Sequence, residues 1–228
     1  MLNCPRKMNP FLFVLSAVIV ASATVFPAFA QETKGDASAG EKKNAMCIGC
    51  HGIVGYHAGF PEVYKVPKIS GQGGKYIAAS LHAYKKGERK HPSMRGVADT
   101  LSAQDIADLA AYYEASGAKA GSAVPLKIRG DSAKALELIA KGGCTACHGE
   151  NLNTPLDASY PKIAGQHSDY LYAALKAYKI EGNAQIGRSN AIMGGVAKQF
   201  SNGELKTLAN YIGSLNGELK TVQPDRFQ

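Results

Sequence analysis

Four of the five cysteines fall in two short strings, Cys47-Ile48-Gly49-Cys50-His51 and Cys144-Thr145-Ala146-Cys147-His148. A Cys-x-x-Cys pair can serve as a thiol–disulfide catalyst, as half of a zinc site, or as the anchor of a covalent haem. A thioredoxin-like pair belongs at the start of a helix in a βαβ setting, and no stretch of this chain sustains the alternation that would suggest strands. Two pairs could together hold one tetrahedral zinc ion. That use leaves the histidine after each second cysteine without a task. Covalent haem uses all three residues: each thiol forms a thioether to a vinyl group, and the imidazole turns to the iron from the proximal side. Found twice, at matching places in the chain, the motif points to two c-type haems.

An iron held on one face by histidine either takes a ligand on the other face or stays open to substrate, and that choice separates carriers from catalysts. The candidates are His57, His82, His91, His167, Met46, Met94 and Met193. An internal repeat sorts them. "VPKISGQ" at 66–72 returns as "YPKIAGQ" at 160–166, "YIAASLHAYKKG" at 76–87 as "YLYAALKAYKIEG" at 170–182, and "MRGVADTLSAQDIADLAAYYEAS" from Met94 as "MGGVAKQFSNGELKTLANYIGSL" from Met193. In this register His82 meets Lys176, His91 meets Asn190, His167 meets Gly73 and Met46 meets Gly143, while His57 falls in a loop of unequal length. Met94 and Met193 alone are echoed. They follow their histidines by 43 and 45 residues, room for a loop, a helix and a second loop to carry the chain to the other haem face. Met46 is read as a core residue, and the four extra histidines as surface or loop residues. His91, three positions before Met94, is placed to replace it in a stressed or alkaline form.

Helices must position these groups. Ile106, Leu109, Ala110 and Tyr113, and likewise Leu205, Leu208, Ala209 and Ile212, recur at helical spacing. Ser102 with Asp105, and Ser201 with Glu204, have the spacing of capping boxes that start these helices. Leu171, Ala174, Leu175 and Tyr178 form another stripe, echoed by Ile77, Leu81 and Tyr84, and a further helix precedes each cysteine string. The length differences between the copies fall after the Cys-x-x-Cys-His strings and just before the methionines, as expected of loops. Each copy combines short helices with long loops and so has a thin core, which implies that something else fills its middle.

The organisation predicted is a leader over 1–30, one domain over 31–118, a linker over 119–129 and a second domain over 130–228. Arg6 and Lys7, the apolar run Phe11–Val25 and the small-x-small Ala28-Phe29-Ala30 read as a secretory signal peptide cleaved before Gln31. That run is shorter than the ~20 residues of a spanning helix. Cys4 would leave with it, so all remaining cysteines belong to the two strings. Losing Arg6 and Lys7 would bring the formal charge from +8 to +6, a balance that suits acidic partners or peripheral contact with an anionic membrane face. Nucleic acid is not expected as a partner of an exported chain.

With Cys47, Cys50, His51 and Met94, with Cys144, Cys147, His148 and Met193, and with the paired "PKIxGQ" segments and terminal helices, the chain resembles the periplasmic dihaem cytochrome c4 family. The likeness spans essentially the whole chain after the leader. It implies an all-α fold of two tandem class I cytochrome c domains related by a pseudo-twofold, each around one covalent haem c. It also implies His51/Met94 and His148/Met193 as iron ligands. Such a protein would be an electron carrier and not an enzyme, with no small-molecule substrate. It would pass electrons in the periplasm from a quinol-oxidising complex or a dehydrogenase to a terminal oxidase or reductase. The alternatives are the dihaem subunit of a flavocytochrome-type dehydrogenase and, against the paired methionines, a dihaem peroxidase. In class I cytochromes a proline carbonyl orients the axial histidine, which points to Pro67 and Pro161; both could equally just shape a turn. Arg89 and Arg188, each five residues before a methionine, are either partners of haem propionates or ordinary solvated arginines.

Overall fold

A computed structural model describes residues 33–119 and 132–223. The leader read at 1–30 lies outside these residues. So does the linker read at 119–129, apart from Lys119, which closes a helix. The first half runs α1 (Ala37–Lys43), α2 (Ala45–His51), β1 (His57–Ala58), β2 (Tyr64–Lys65), α3 (Gly74–Lys86), β3 (Arg89–Lys90), α4 (Pro92–Asp99) and α5 (Ala103–Lys119). The second runs α6 (Ser132–Lys141), α7 (Thr145–His148), α8 (Ser168–Ala177), β4 (Gly187–Arg188), α9 (Ala191–Lys198) and α10 (Asn202–Ser214). The fold is all-α in substance, because each strand is only two residues long. Elements that short leave no alternation in the sequence.

Each half is organised by its last helix. On α5 the residues Ile106, Leu109, Ala110 and Tyr113 are buried, and Ile77 of α3 and Leu101 join them in one cluster. On α10 the equivalents Leu205, Leu208, Ala209 and Ile212 are buried against Leu138 and Ile139 of α6 and Leu171 of α8. Burying such side chains stabilises by about 1.5–3 kcal/mol each. Both helices begin as their spacing predicts. Ser201 and Glu204 exchange hydrogen bonds in a complete capping box. The Asp105 carboxylate accepts from the backbone N–H of Ser102 while the Ser102 hydroxyl accepts from that of Asp105.

A buried carboxylate pins α1 to α5. Asp108 is 2% exposed and accepts from the Lys43 ammonium at 2.7 Å, the Asp36 N–H at 2.8 Å and the Gln104 amide at 2.8 Å. The Lys43 hydrogen bond, then the Asp36 N–H, hold its pKa below the usual carboxylate value. A carboxyl depressed in the folded state stabilises the fold above its unfolded pKa of about 3.9 and loses that contribution as the pH falls below it. Asp108→Asn is therefore expected to lower the thermal midpoint at pH 7 by about 5 °C. The gap to wild type should narrow towards pH 3, as melting curves across pH would show.

The two halves meet along one seam. β3 and β4 pair antiparallel, with Arg89 opposite Arg188. The Lys65 N–H donates to Asp169 at 3.0 Å, Lys176 pairs with Glu62 at 2.7 Å, and the Lys220 N–H donates to the Ser70 carbonyl at 2.9 Å. The extra length after the first cysteine string forms the β1–β2 hairpin, which lies against α8.

Candidate functional site

The hollow middle predicted from the thin cores is present as a cavity of about 790 Å³. Cys50, His51 and Met94 line it from the first half, and Cys147, His148 and Met193 from the second. The other two cysteines stand on the core side, Cys47 packed against the α5 cluster and Cys144 against the α10 cluster. The helices α2 and α7 carry the strings and end in their histidines. Among the described residues no three His, Cys, Asp or Glu side chains gather into one metal-holding group. The two cysteine pairs are thus held apart, and a shared zinc site is not formed.

Each histidine has one nitrogen committed. Nδ1 of His51 donates to the Pro67 carbonyl at 2.9 Å, and Nδ1 of His148 to the Pro161 carbonyl at 2.8 Å. A carbonyl can only accept, so the proton sits on Nδ1 and the Nε2 lone pair is left for a metal. Burial pushes both imidazoles towards the neutral form that ligation needs. The two prolines therefore do more than shape turns.

The methionines stand third in α4 and α9, within the first turn. The Met193 N–H donates to the Asn190 side chain at 2.9 Å, and the Met94 N–H to His91 Nδ1 at 3.4 Å. His91 and Asn190, equivalent in the repeat, are the N-caps of equivalent helices. The structure thus gives His91 a positioning task beside Met94. Met46 is corrected: it is 54% exposed, on the outer face of α2 and not in a core.

The arginines are not solvated surface residues. Arg89 and Arg188 both line the cavity and both donate to the Tyr170 hydroxyl, at 2.7 Å and 3.1 Å. Arg89 also donates to Ser80 at 2.8 Å and to Tyr76 at 3.3 Å. Burial alone would raise the Tyr170 pKa, but Arg188 and Arg89 together bring it down to about 8. Burial pushes Tyr64, whose ring lies tilted 6.0 Å from that of Tyr170, up to about 12. The role of Tyr170 escaped the sequence reading, although its repeat of Tyr76 at the head of an equivalent helix was a usable signal.

Two buried side-chain polar atoms among the described residues lack a hydrogen-bond partner: Arg89 Nε and the Tyr113 hydroxyl. A cavity-lining guanidinium with an unanswered N–H suits the anionic edge of a large planar group. Thiols, an imidazole and a thioether from each half stand around that cavity, so the residues present fit two covalently held haems. No helix among the described residues is long and apolar enough to cross a membrane.

Comparison with known proteins agrees. Residues 132–216 match the family described as "Cytochrome c", and residues 36–112 the family described as "Cytochrome C oxidase, cbb3-type, subunit III". The chain is 33% identical over 199 residues to cytochrome c4 of Azotobacter vinelandii, spanning 80% of this chain and 90% of the relative. It is 28% identical over 184 residues to the thiosulfate dehydrogenase electron acceptor of Thiomonas intermedia, spanning 75% and 78%. The crystal structure of reduced cytochrome c4 from Pseudomonas stutzeri superposes with a TM-score of 0.61 at 35% identity, over 80% of this chain and all of that one.

Proposed function

The chain belongs to the cytochrome c4 family, carries two covalent haem c groups and is an electron-transfer protein; from that premise we propose how its residues hold the haems and which electrons it carries. Cys47 and Cys50 anchor the first haem and Cys144 and Cys147 the second, through thioethers. His51 and Met94 would hold one iron, and His148 and Met193 the other. Each haem, when bound, supplies a one-electron ferric/ferrous couple. Thioether sulfur is soft and neutral, so Met94 and Met193 favour the ferrous state and raise the reduction potential. Apolar walls that exclude water act in the same direction. With His51 and Met94 holding one iron and His148 and Met193 the other, the protein would leave no position for a substrate, and one-electron transfer would need no ligand exchange. Arg89 and Arg188 offer their N–H groups to the haem carboxylates at the seam. The observation that carries this reading is the common cavity lined by both His/Met pairs.

The carrier works in the periplasm after cleavage of the leader, between a quinol-oxidising complex or dehydrogenase and a terminal oxidase or reductase. The likeness to a thiosulfate dehydrogenase electron acceptor favours a second, narrower reading, in which the donor is a sulfur-oxidising dehydrogenase. A larger catalytic chain that copurifies and reduces this protein on addition of thiosulfate would support the second reading. The absorption spectrum tests the first. A weak ferric band at the red edge of the visible, from sulfur ligation, is expected for both haems, with no carbon monoxide binding to either reduced haem at pH 7. A five-coordinate or carbon monoxide-binding iron would sink the closed-carrier reading and favour a peroxidase.

A further inference from the structure

The segment Pro-Lys-Ile-x-Gly-Gln occurs once in each half, and the structure ties the two copies together crosswise. Pro67 C=O and Lys68 N–H belong to one peptide group. Its oxygen accepts from His51 Nδ1 at 2.9 Å, and its N–H donates to Oε1 of Gln166, in the other half, at 3.0 Å. The mirror arrangement holds on the other side. The Pro161 oxygen accepts from His148 Nδ1 at 2.8 Å, and the Lys162 N–H donates to Gln72 Oε1 at 2.9 Å. Each glutamine closes its pairing by donating Nε2 to the carbonyl of the same lysine, Gln166 to Lys68 at 2.8 Å and Gln72 to Lys162 at 2.9 Å.

These amides are held firmly. Gln72 and Gln166 are 4% and 5% exposed. Their oxygens also accept from the following backbone N–H, of Gly73 at 3.0 Å and His167 at 2.9 Å. Two N–H donors at one end and a carbonyl at the other fix which end of each amide is oxygen. The glycine before each glutamine makes the turn possible: Gly71 has φ +83° and Gly165 φ +71°, values that residues with a Cβ rarely adopt. A Cβ there would also press on the Glu218 carbonyl at 2.9 Å or the Leu215 carbonyl at 3.0 Å.

We propose that Gln166 and Gln72 are positioning residues that act across the seam, each tuning the axial histidine of the other half's haem through one shared peptide group. A peptide whose N–H is engaged by a good acceptor is more polarised, by about 10–30% per bond, and its C=O accepts more strongly. A stronger Nδ1–H···O bond makes the imidazole a more basic ligand, which favours ferric iron and lowers the potential. Gln166 therefore holds down the potential of the haem ligated by His51, and Gln72 that of the haem ligated by His148. Closure of the seam and the potentials of both haems become one property. This rests on His51 and His148 being axial ligands, as proposed above.

The test is a crossed pair of variants in the dihaem protein, Gln166→Leu and Gln72→Leu. It is read by spectroelectrochemistry, with the haems assigned from their NMR methyl signals. Gln166→Leu should raise the potential of the first haem and leave the second unmoved. Gln72→Leu should do the reverse. Each should change the constant for sharing one electron between the haems by about three- to tenfold, tenfold being about 59 mV. Gln166→Glu, which keeps the acceptor and adds charge, should lower the first haem's potential. If Gln166→Leu fails to take up both haems, Gln166→Asn, with its amide drawn back by one methylene, carries the same test with the same sign. A glutamine that merely glues the seam would lower the melting temperature without this crossed pattern. Unmoved potentials, or a shift confined to the haem of the mutated half, would overturn the proposal while a His/Met spectrum left the ligand assignment standing. A wild-type spectrum lacking histidine ligation would remove both.

Discussion

Met193→Ala is expected to lower the potential of the second haem by on the order of 0.1–0.2 V, a fraction of the ~0.8 V over which axial ligands set haem potentials. The same variant should lose the red-edge ferric band for that haem alone and bind carbon monoxide at one iron per chain. The physical cause is the loss of a neutral, soft sulfur that prefers ferrous iron. Water or an open position takes its place. The Met193 backbone N–H would still donate to the Asn190 side chain at 2.9 Å, so the start of α9 should survive and the change should stay local. Met193→His provides the control: it should lower the potential and keep both faces of the iron closed. An unchanged sulfur band in Met193→Ala would mean that another residue is the sixth ligand.

Removing one haem altogether should have the larger structural effect. Cys47→Ala with Cys50→Ala is expected to halve the haem content, from two to one per chain, as measured by the alkaline pyridine spectrum. The first half has a small apolar cluster around α5 and borders a cavity of about 790 Å³. A hollow of that size without its occupant leaves apolar walls unpacked. The melting temperature should fall by on the order of 10 °C, since a group bound only by the folded state stabilises it. Limited proteolysis should open the first half before the second. Full haem content in the double variant would show that these thiols are not the anchors.

The sequence made a good part of this legible because the repeat compared the chain with itself. The two Cys-x-x-Cys-His strings named the chemistry. The shared register separated Met94 and Met193 from Met46 and from the unmatched histidines. Both capping boxes and the stripes on α5 and α10 follow from local spacing, and they form as expected. What the sequence hid lies at the seam. Arg89 and Arg188 are far apart in the chain, and only the pairing of β3 with β4 brings them onto one hydroxyl. Two-residue strands carry no periodic signal, so that pairing could not be anticipated. His91 and Asn190 align in the repeat, and their shared helix-capping task shows once the starts of α4 and α9 are located. Met46 shows that apolar character does not fix burial. Beside the exposed positions of a short helix, a methionine faces water as readily as core.

The hydrogen bond from Lys220 to Ser70 has a consequence for how the molecule is made. The first half of the chain is delivered well before residue 220, and contacts at such sequence separation form slowly. The stretch that presents Pro67 to His51 therefore spends its early life with an unpaired backbone edge, the kind of surface that recruits wrong partners. Closure of the seam at this point therefore requires residue 220, and so it completes only after nearly all of the polypeptide has been delivered.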